Sequence, residues 1–139
     1  MSESACIFCQ IIRKEAPASM VYEDEQVAAF LSNRPVNVGH TLVVSKKHYA
    51  DIYQITEEEA AYLFKITKRI AQAVKEATEI EAIRIVQNNG KDAGQVVIHL
   101  HVHIIPMKPQ SRFRHENGFR PLELLEKDAE KIRQRLHKA

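Results

Sequence analysis

His99-Leu100-His101-Val102-His103-Ile104-Ile105-Pro106 alternates imidazole and apolar side chains. A β-strand sends residues i, i+2 and i+4 to the same face. In a strand, His99, His101 and His103 therefore share one face while Leu100, Val102 and Ile104 enter a core. A helix would scatter the three rings around its axis. The chain has 7 histidines, and a merely polar strand surface explains one of them better than three in alternation. Two chemistries use such a face. Neutral imidazole is a common zinc ligand. It is also a nucleophile near neutral pH, because its ordinary pKa is about 6.5.

Directly upstream, Asn88-Asn89-Gly90-Lys91-Asp92-Ala93-Gly94-Gln95-Val96-Val97 separates this strand from the strand-like Glu81–Gln87. Glycines let backbone N–H groups approach a ligand, and a run of such groups makes an anion-binding concavity. Gln95 adds a neutral donor. Alone, the stretch reads equally well as an ordinary hairpin loop. Beside three histidines it suggests a phosphate held against a nucleophile. It is not a Walker loop, since no Gly-Lys-Ser/Thr is present.

Further out, Val21–Glu23 and Gln26–Leu31 read as strands around Asp24-Glu25, and His40–Ser45 as a third. Ser32–Gly39, with Asn33, Pro35 and Asn37, is a loop. Thr56-Glu57-Glu58-Glu59 fits a capping box, and Leu63, Ile66, Ile70 and Ala77 continue at helical spacing. Cys6–Arg13 forms a short helical segment ending before Pro17. Its CxxC pair fits zinc ligation, a redox dithiol or two plain thiols, and zinc needs two more ligands. Lys108–Arg120 is polar and basic, and reads as a solvated connection or as a mobile loop beside the site. Pro121 suits a first helical position, after which Leu122, Leu125, Ala129, Ile132 and Leu136 form one apolar stripe. That helix packs on the sheet or on a partner subunit.

At 139 residues, with 27% charged and 45% hydrophobic residues, the chain is expected to be one globular domain, 1–139. Its net charge of +2 gives no reason to expect nucleic acid. No apolar run reaches the roughly 20 residues of a membrane span, so no membrane partner is expected. The N-terminus lacks the basic and apolar regions of a secretory signal, which leaves a cytoplasmic location as the expectation. In that reducing setting a Cys6–Cys9 disulfide is not expected.

Asn88 through Pro106, with Gly94-Gln95 ahead of the triplet, resembles the signature of the histidine triad (HIT) superfamily. Pro35 through His48 resembles a second stretch of that family, and Cys6 through Ile12 the N-terminal stretch of its bacterial Hint-like branch. The resemblance covers roughly residues 5–107, leaving a basic loop at 108–120 and a C-terminal helix at about 121–137. It implies an α+β, HIT-like fold, with a mostly antiparallel sheet of about five strands carrying helices, paired as a homodimer.

The resemblance also implies hydrolysis at the α-phosphate of purine nucleotide derivatives, of the nucleoside phosphoramidase type. His101 would form a covalent nucleotidyl-histidine that water then cleaves. His103 would contact the α-phosphate, and His99 completes the catalytic triplet. The transferase branch has glutamine where this chain has His103, which favours hydrolysis. The Gly94–Val96 backbone and Gln95 would supply further donors, with Asn88 near the ribose and phosphate. Ile7, Phe8, Ile11, Phe30 and Leu42 would line the base pocket. In the family's zinc-carrying bacterial members the metal ligands correspond to Cys6, Cys9, His48 and His99, a closed structural set; no organic cofactor is implied. His40 would hold neighbouring side chains.

Two positions depart from the family pattern. Val96 stands where a Ser or Thr hydroxyl usually helps protonate the leaving group. Ser32, beside Asn33, stands where an acidic or amide side chain usually binds the ribose. Two other functions fit the same residues: a dinucleoside polyphosphate hydrolase, and a zinc-containing nucleotide sensor or interaction module with little turnover.

Overall fold

The computed structural model describes residues 5–109 and 118–138. Five strands form one sheet: β1 (Met20–Glu23), β2 (Val27–Leu31), β3 (Thr41–Ser45), β4 (Ala82–Gln87) and β5 (His101–Met107). Their order is β1-β2-β3-β5-β4, and every neighbouring pair is antiparallel. Among the described residues three α-helices accompany them: α1 (Ile7–Ile12), α2 (Glu57–Thr78) and α3 (Leu122–Lys138), with one 3-10 turn at Lys91–Ala93. The expected α+β architecture is present.

The histidine-bearing strand lies inside the sheet, between β3 and β4. It begins at His101, two residues later than the alternation alone suggests. The chain is still turning onto the sheet at that point: His99 N–H donates to Val97 O and Leu100 N–H to Tyr49 O. The alternation of faces nevertheless holds. Leu100, Val102 and Ile104 are buried in the larger core with Ile66, Ile70 and Ile132 from α2 and α3. Full burial of such a side chain stabilises the fold by about 1.5–3 kcal/mol. The opposite face carries a smaller cluster in which Phe8 and Ile11 of α1 meet Phe30, Leu42 and Val44.

Local signals set the helix boundaries. Thr56 Oγ1 accepts from Glu59 N–H, and the Glu59 carboxylate accepts from Thr56 N–H, closing the expected capping box. The stripe on α3 packs against α2 and β1 within the chain, with Leu125, Ala129 and Ile132 buried. Its first member, Leu122, is exposed instead. Most of the basic stretch, 110–117, lies outside the described residues. Among the described residues, no helix is long and apolar enough to cross a membrane.

Candidate active site

The hydrogen-bond partners fix the tautomers of four histidines. A carbonyl only accepts, so the ring nitrogen facing it carries the proton. His101 Nδ1–H donates to His99 O at 2.6 Å, which puts the lone pair on Nε2. His99 Nε2–H donates to Ser45 O at 2.6 Å, which puts its lone pair on Nδ1. Val36 N–H donates to His40 Nδ1 at 3.1 Å, so the His40 proton sits on Nε2. That Nε2–H then donates to His103 Nδ1 at 3.0 Å, and the proton of neutral His103 must lie on Nε2. Thus His101 presents a lone pair at Nε2, and His103 presents a donor there.

Both rings line a cavity of about 390 Å³ on the α1 side of the sheet. Their centroids lie 4.9 Å apart, and Phe8 stands edge-on to His101 at 5.1 Å. Phe8, Ile7, Ile11, Phe30 and Leu42 all line the cavity. So do Ser32 and Asn33, the former half-buried and the latter exposed. Sequence reasoning missed a further wall made by Arg34, Phe119, Arg120, Leu122 and Leu125. The apolar stripe of α3 hinted only at packing, and nothing in it showed that Leu122 would turn toward a cavity.

The loop before β5 changes the expected donor set. Gln95 Nε2 donates to Ala50 O at 2.6 Å and Val97 O at 3.2 Å, while its Oε1 accepts from Gly90 N–H at 2.8 Å. Both ends of this buried amide brace the loop, and Gln95 is outside the cavity lining. The backbone N–H groups of Gly94 and Gln95 are likewise bonded within the turn, to Lys91 O and Gly90 O. Gly94 still lines the cavity, at φ +94°, while the Asn88 amide lies against Gly94 and outside the cavity lining. Among the described residues, the N–H groups of Val96 and Val97 have no partner, and both residues line the cavity. These are the donors that the loop retains.

Beneath the cavity, four potential ligand atoms from Cys6, Cys9, His48 and His99 all lie within 4.8 Å of one another. Cys6 Sγ is 3.3 Å from His99 Nδ1, and Cys9 Sγ is 3.5 Å from it and 3.2 Å from His48 Nδ1. A tetrahedral zinc site, with bonds of about 2.0–2.3 Å, has edges near ~3.5 Å. The donor set and its spacing therefore fit such an ion. Burial pushes the His99 imidazole down to about 4, opposed by the Ser45 carbonyl bond, so its Nδ1 lone pair is available at neutral pH.

Residues 13–110 match the HIT domain. The protein hit of Bacillus subtilis is 46% identical over 101 residues, covering 73% of this chain and 70% of that protein. An adenosine 5'-monophosphoramidase of Saccharomyces cerevisiae is 38% identical over 108 residues, covering 78% of this chain and 66% of its own length. A zinc-bound histidine triad family protein from Mycobacterium smegmatis superposes with a TM-score of 0.86 at 32% identity, covering 99% of this chain and 96% of that one. The histidine-lined cavity and these similarities place the chain in the HIT-domain family.

Proposed function

We propose that this chain hydrolyses purine nucleotide derivatives at the α-phosphate, as a nucleoside phosphoramidase, through a nucleotidyl group on His101. The supporting observation is the tautomer arrangement. The His101 lone pair and the His103 donor occupy corresponding ring positions on two side chains of one strand face, beside one cavity. His101 Nε2 attacks phosphorus, the phosphorus–nitrogen bond to the leaving amine breaks, and a nucleotidyl-imidazolium forms. His99 O stabilises that cation through the Nδ1–H bond. His103 Nε2–H and the Val96 and Val97 N–H groups are donors for the phosphoryl oxygens, which gain charge in the transition state. Water then cleaves the phosphorus–His101 bond and releases the nucleoside monophosphate. Val96 has no hydroxyl, so the departing amine takes its proton from water at the cavity mouth.

Cys6, Cys9, His48 and His99 would hold zinc as a closed structural site, leaving His101 and His103 to the reaction. A bound ion would tie α1 to the start of the catalytic strand. The protein would act as a homodimer, joined across β4. Among the described residues β4 pairs with β5 alone at the end of the sheet, and it carries Ile85, which is 47% exposed.

Intact-mass analysis after mixing with an adenosine phosphoramidate tests the catalytic reading. A one-nucleotidyl adduct in wild type and its absence in His101→Ala, together with AMP release, is the expected result. Undiminished AMP release by His101→Ala overturns the mechanism. Nucleotide binding without adduct or AMP in any variant favours a sensor, and turnover of diadenosine polyphosphates alone favours the dinucleoside polyphosphate reading.

A further inference from the structure

One row of side chains crosses the sheet on the cavity face. His103 pairs with Leu42, and Leu42 pairs with Phe30. Strands are spaced about 4.8 Å apart, so Phe30 lies roughly 10 Å across the sheet from the histidine that would meet the phosphate. In a nucleoside monophosphate the ribose separates phosphorus from base, so the two can lie along this row. Immediately after β2 the chain reaches Ser32, Asn33 and Arg34, and at this end of the cavity it is met by Phe119.

Phe119 is held there from both sides. The Arg34 guanidinium carbon lies 5.2 Å from its ring centroid. The next residue, Arg120, donates its N–H to Asn33 O at 2.8 Å and its guanidinium to Asp128 at 2.7 and 3.2 Å. A fixed aromatic ring that stays 72% exposed contributes little to the core. Its position suits it to stack against a planar group entering between it and the apolar inner wall.

We propose that Phe119, positioned by Arg34 and Arg120, is a specificity-determining residue that closes the nucleoside end of the cavity and selects purine over pyrimidine nucleotides. The proposal rests on the nucleotide reading above. A purine offers two fused rings to the cavity that Phe30 and Phe119 both line, whereas a pyrimidine offers one and leaves more of that surface wet. Arg34 keeps the ring at the lip. Stacking on an aromatic side chain is sensitive to its removal and tolerant of exchange for another aromatic.

The test compares adenosine and cytidine phosphoramidates as substrates for wild type, Phe119→Ala, Phe119→Trp and Arg34→Ala, with AMP affinity measured by calorimetry. Phe119→Ala should raise KM for the adenosine substrate and weaken AMP binding by roughly tenfold. Its kcat should stay within about twofold, because Phe119 lies at the far end of the cavity from phosphorus. The adenosine-over-cytidine preference should collapse in Phe119→Ala and return in Phe119→Trp. Arg34→Ala should move the same way by a smaller factor. Wild-type turnover that depends on His101, with KM, AMP affinity and base preference unchanged in Phe119→Ala, overturns this proposal alone. A wild type that neither binds AMP nor turns over either substrate overturns the nucleotide reading with it.

Discussion

His103 can donate to a phosphate because of a residue just ahead of β3 and a backbone group in the preceding loop. Val36 N–H fixes His40, and His40 fixes His103. Replacing His40 by Phe keeps a ring and removes the donor, so the His103 tautomer is no longer dictated. We expect kcat to fall on the order of a hundredfold, as when an oxyanion donor is lost, with AMP affinity changed much less; steady-state kinetics beside calorimetry checks this. At Val96, which is 79% exposed at the cavity wall, Ser supplies the missing hydroxyl at little structural cost. Val96→Ser should raise kcat several-fold for alkylamine leaving groups, which need a proton most. It should change kcat little for a phenolate leaving group, which needs none. Sequence showed the alternation of His99, His101 and His103 because a strand has a fixed period. A neighbouring carbonyl holding the far nitrogen of His101 was to be expected, but the tautomers of His99 and His103 were not legible, because Ser45 O and the Val36–His40 relay reach those rings only through the fold.

At the scale of elements, the turn between β1 and β2 is pinned to α2 through Asp24. Asp24 Oδ1 accepts from Gln26 and Val27 N–H, and Oδ2 accepts from the Tyr22 and Tyr62 hydroxyls. Burial pushes this carboxyl up, but the Tyr22 and Tyr62 bonds and the two backbone donors outweigh it and hold it below its usual value. A lowered carboxylate pKa stabilises the fold above the ordinary carboxylate range, and that stability is lost as pH falls through the folded value. Asp24→Asn should cost about 1–3 kcal/mol at pH 7, and urea unfolding should show the gap from wild type narrowing below pH 4. Gly39 is a second constraint, at φ +98°, where an added Cβ would meet Thr78 Cγ2 at 2.6 Å and Pro106 Cγ at 3.3 Å. Gly39→Ala should destabilise by about 3 kcal/mol or more. Gly94→Ala has the backbone strain without that collision and should cost less in the same melts. The strands and α2 were legible from period and capping. The role of Gln95 was not, because a glutamine beside glycines reads the same whether it faces a ligand or Ala50 O.

Across the whole molecule, one sheet separates two functions of the same strand. Its inner face anchors α2 and α3 in the larger core, and its outer face carries the histidines, the thiols and the cavity. The fold, the His101–His103 pair and the four possible metal ligands could all be anticipated from motifs. The Arg34–Phe119 wall could not, because it joins residues from opposite ends of the chain across a loop. If zinc fills the sulfur–imidazole site, a strong chelator should lower Tm by several degrees in wild type and leave Cys9→Ser, already metal-free, unmoved; thermal melts with metal analysis by mass spectrometry check this.

Helix α1 has only 6 residues, and its first turn is capped by Cys6 Sγ, which accepts Cys9 N–H at 3.4 Å. So short a helix does not persist on its own. The same helix supplies Ile7, Phe8 and Ile11 to the cavity wall. Anything that secures the two sulfurs therefore also holds that wall in place, and thermodynamic reciprocity requires the converse. By whatever factor a filled sulfur site tightens nucleotide binding, bound nucleotide must lower the occupant's dissociation constant by the same factor. Amide hydrogen exchange would follow this directly, with residues 7–12 opening early when both sites are empty and becoming protected when either is filled, while the amides of β5 stay closed throughout.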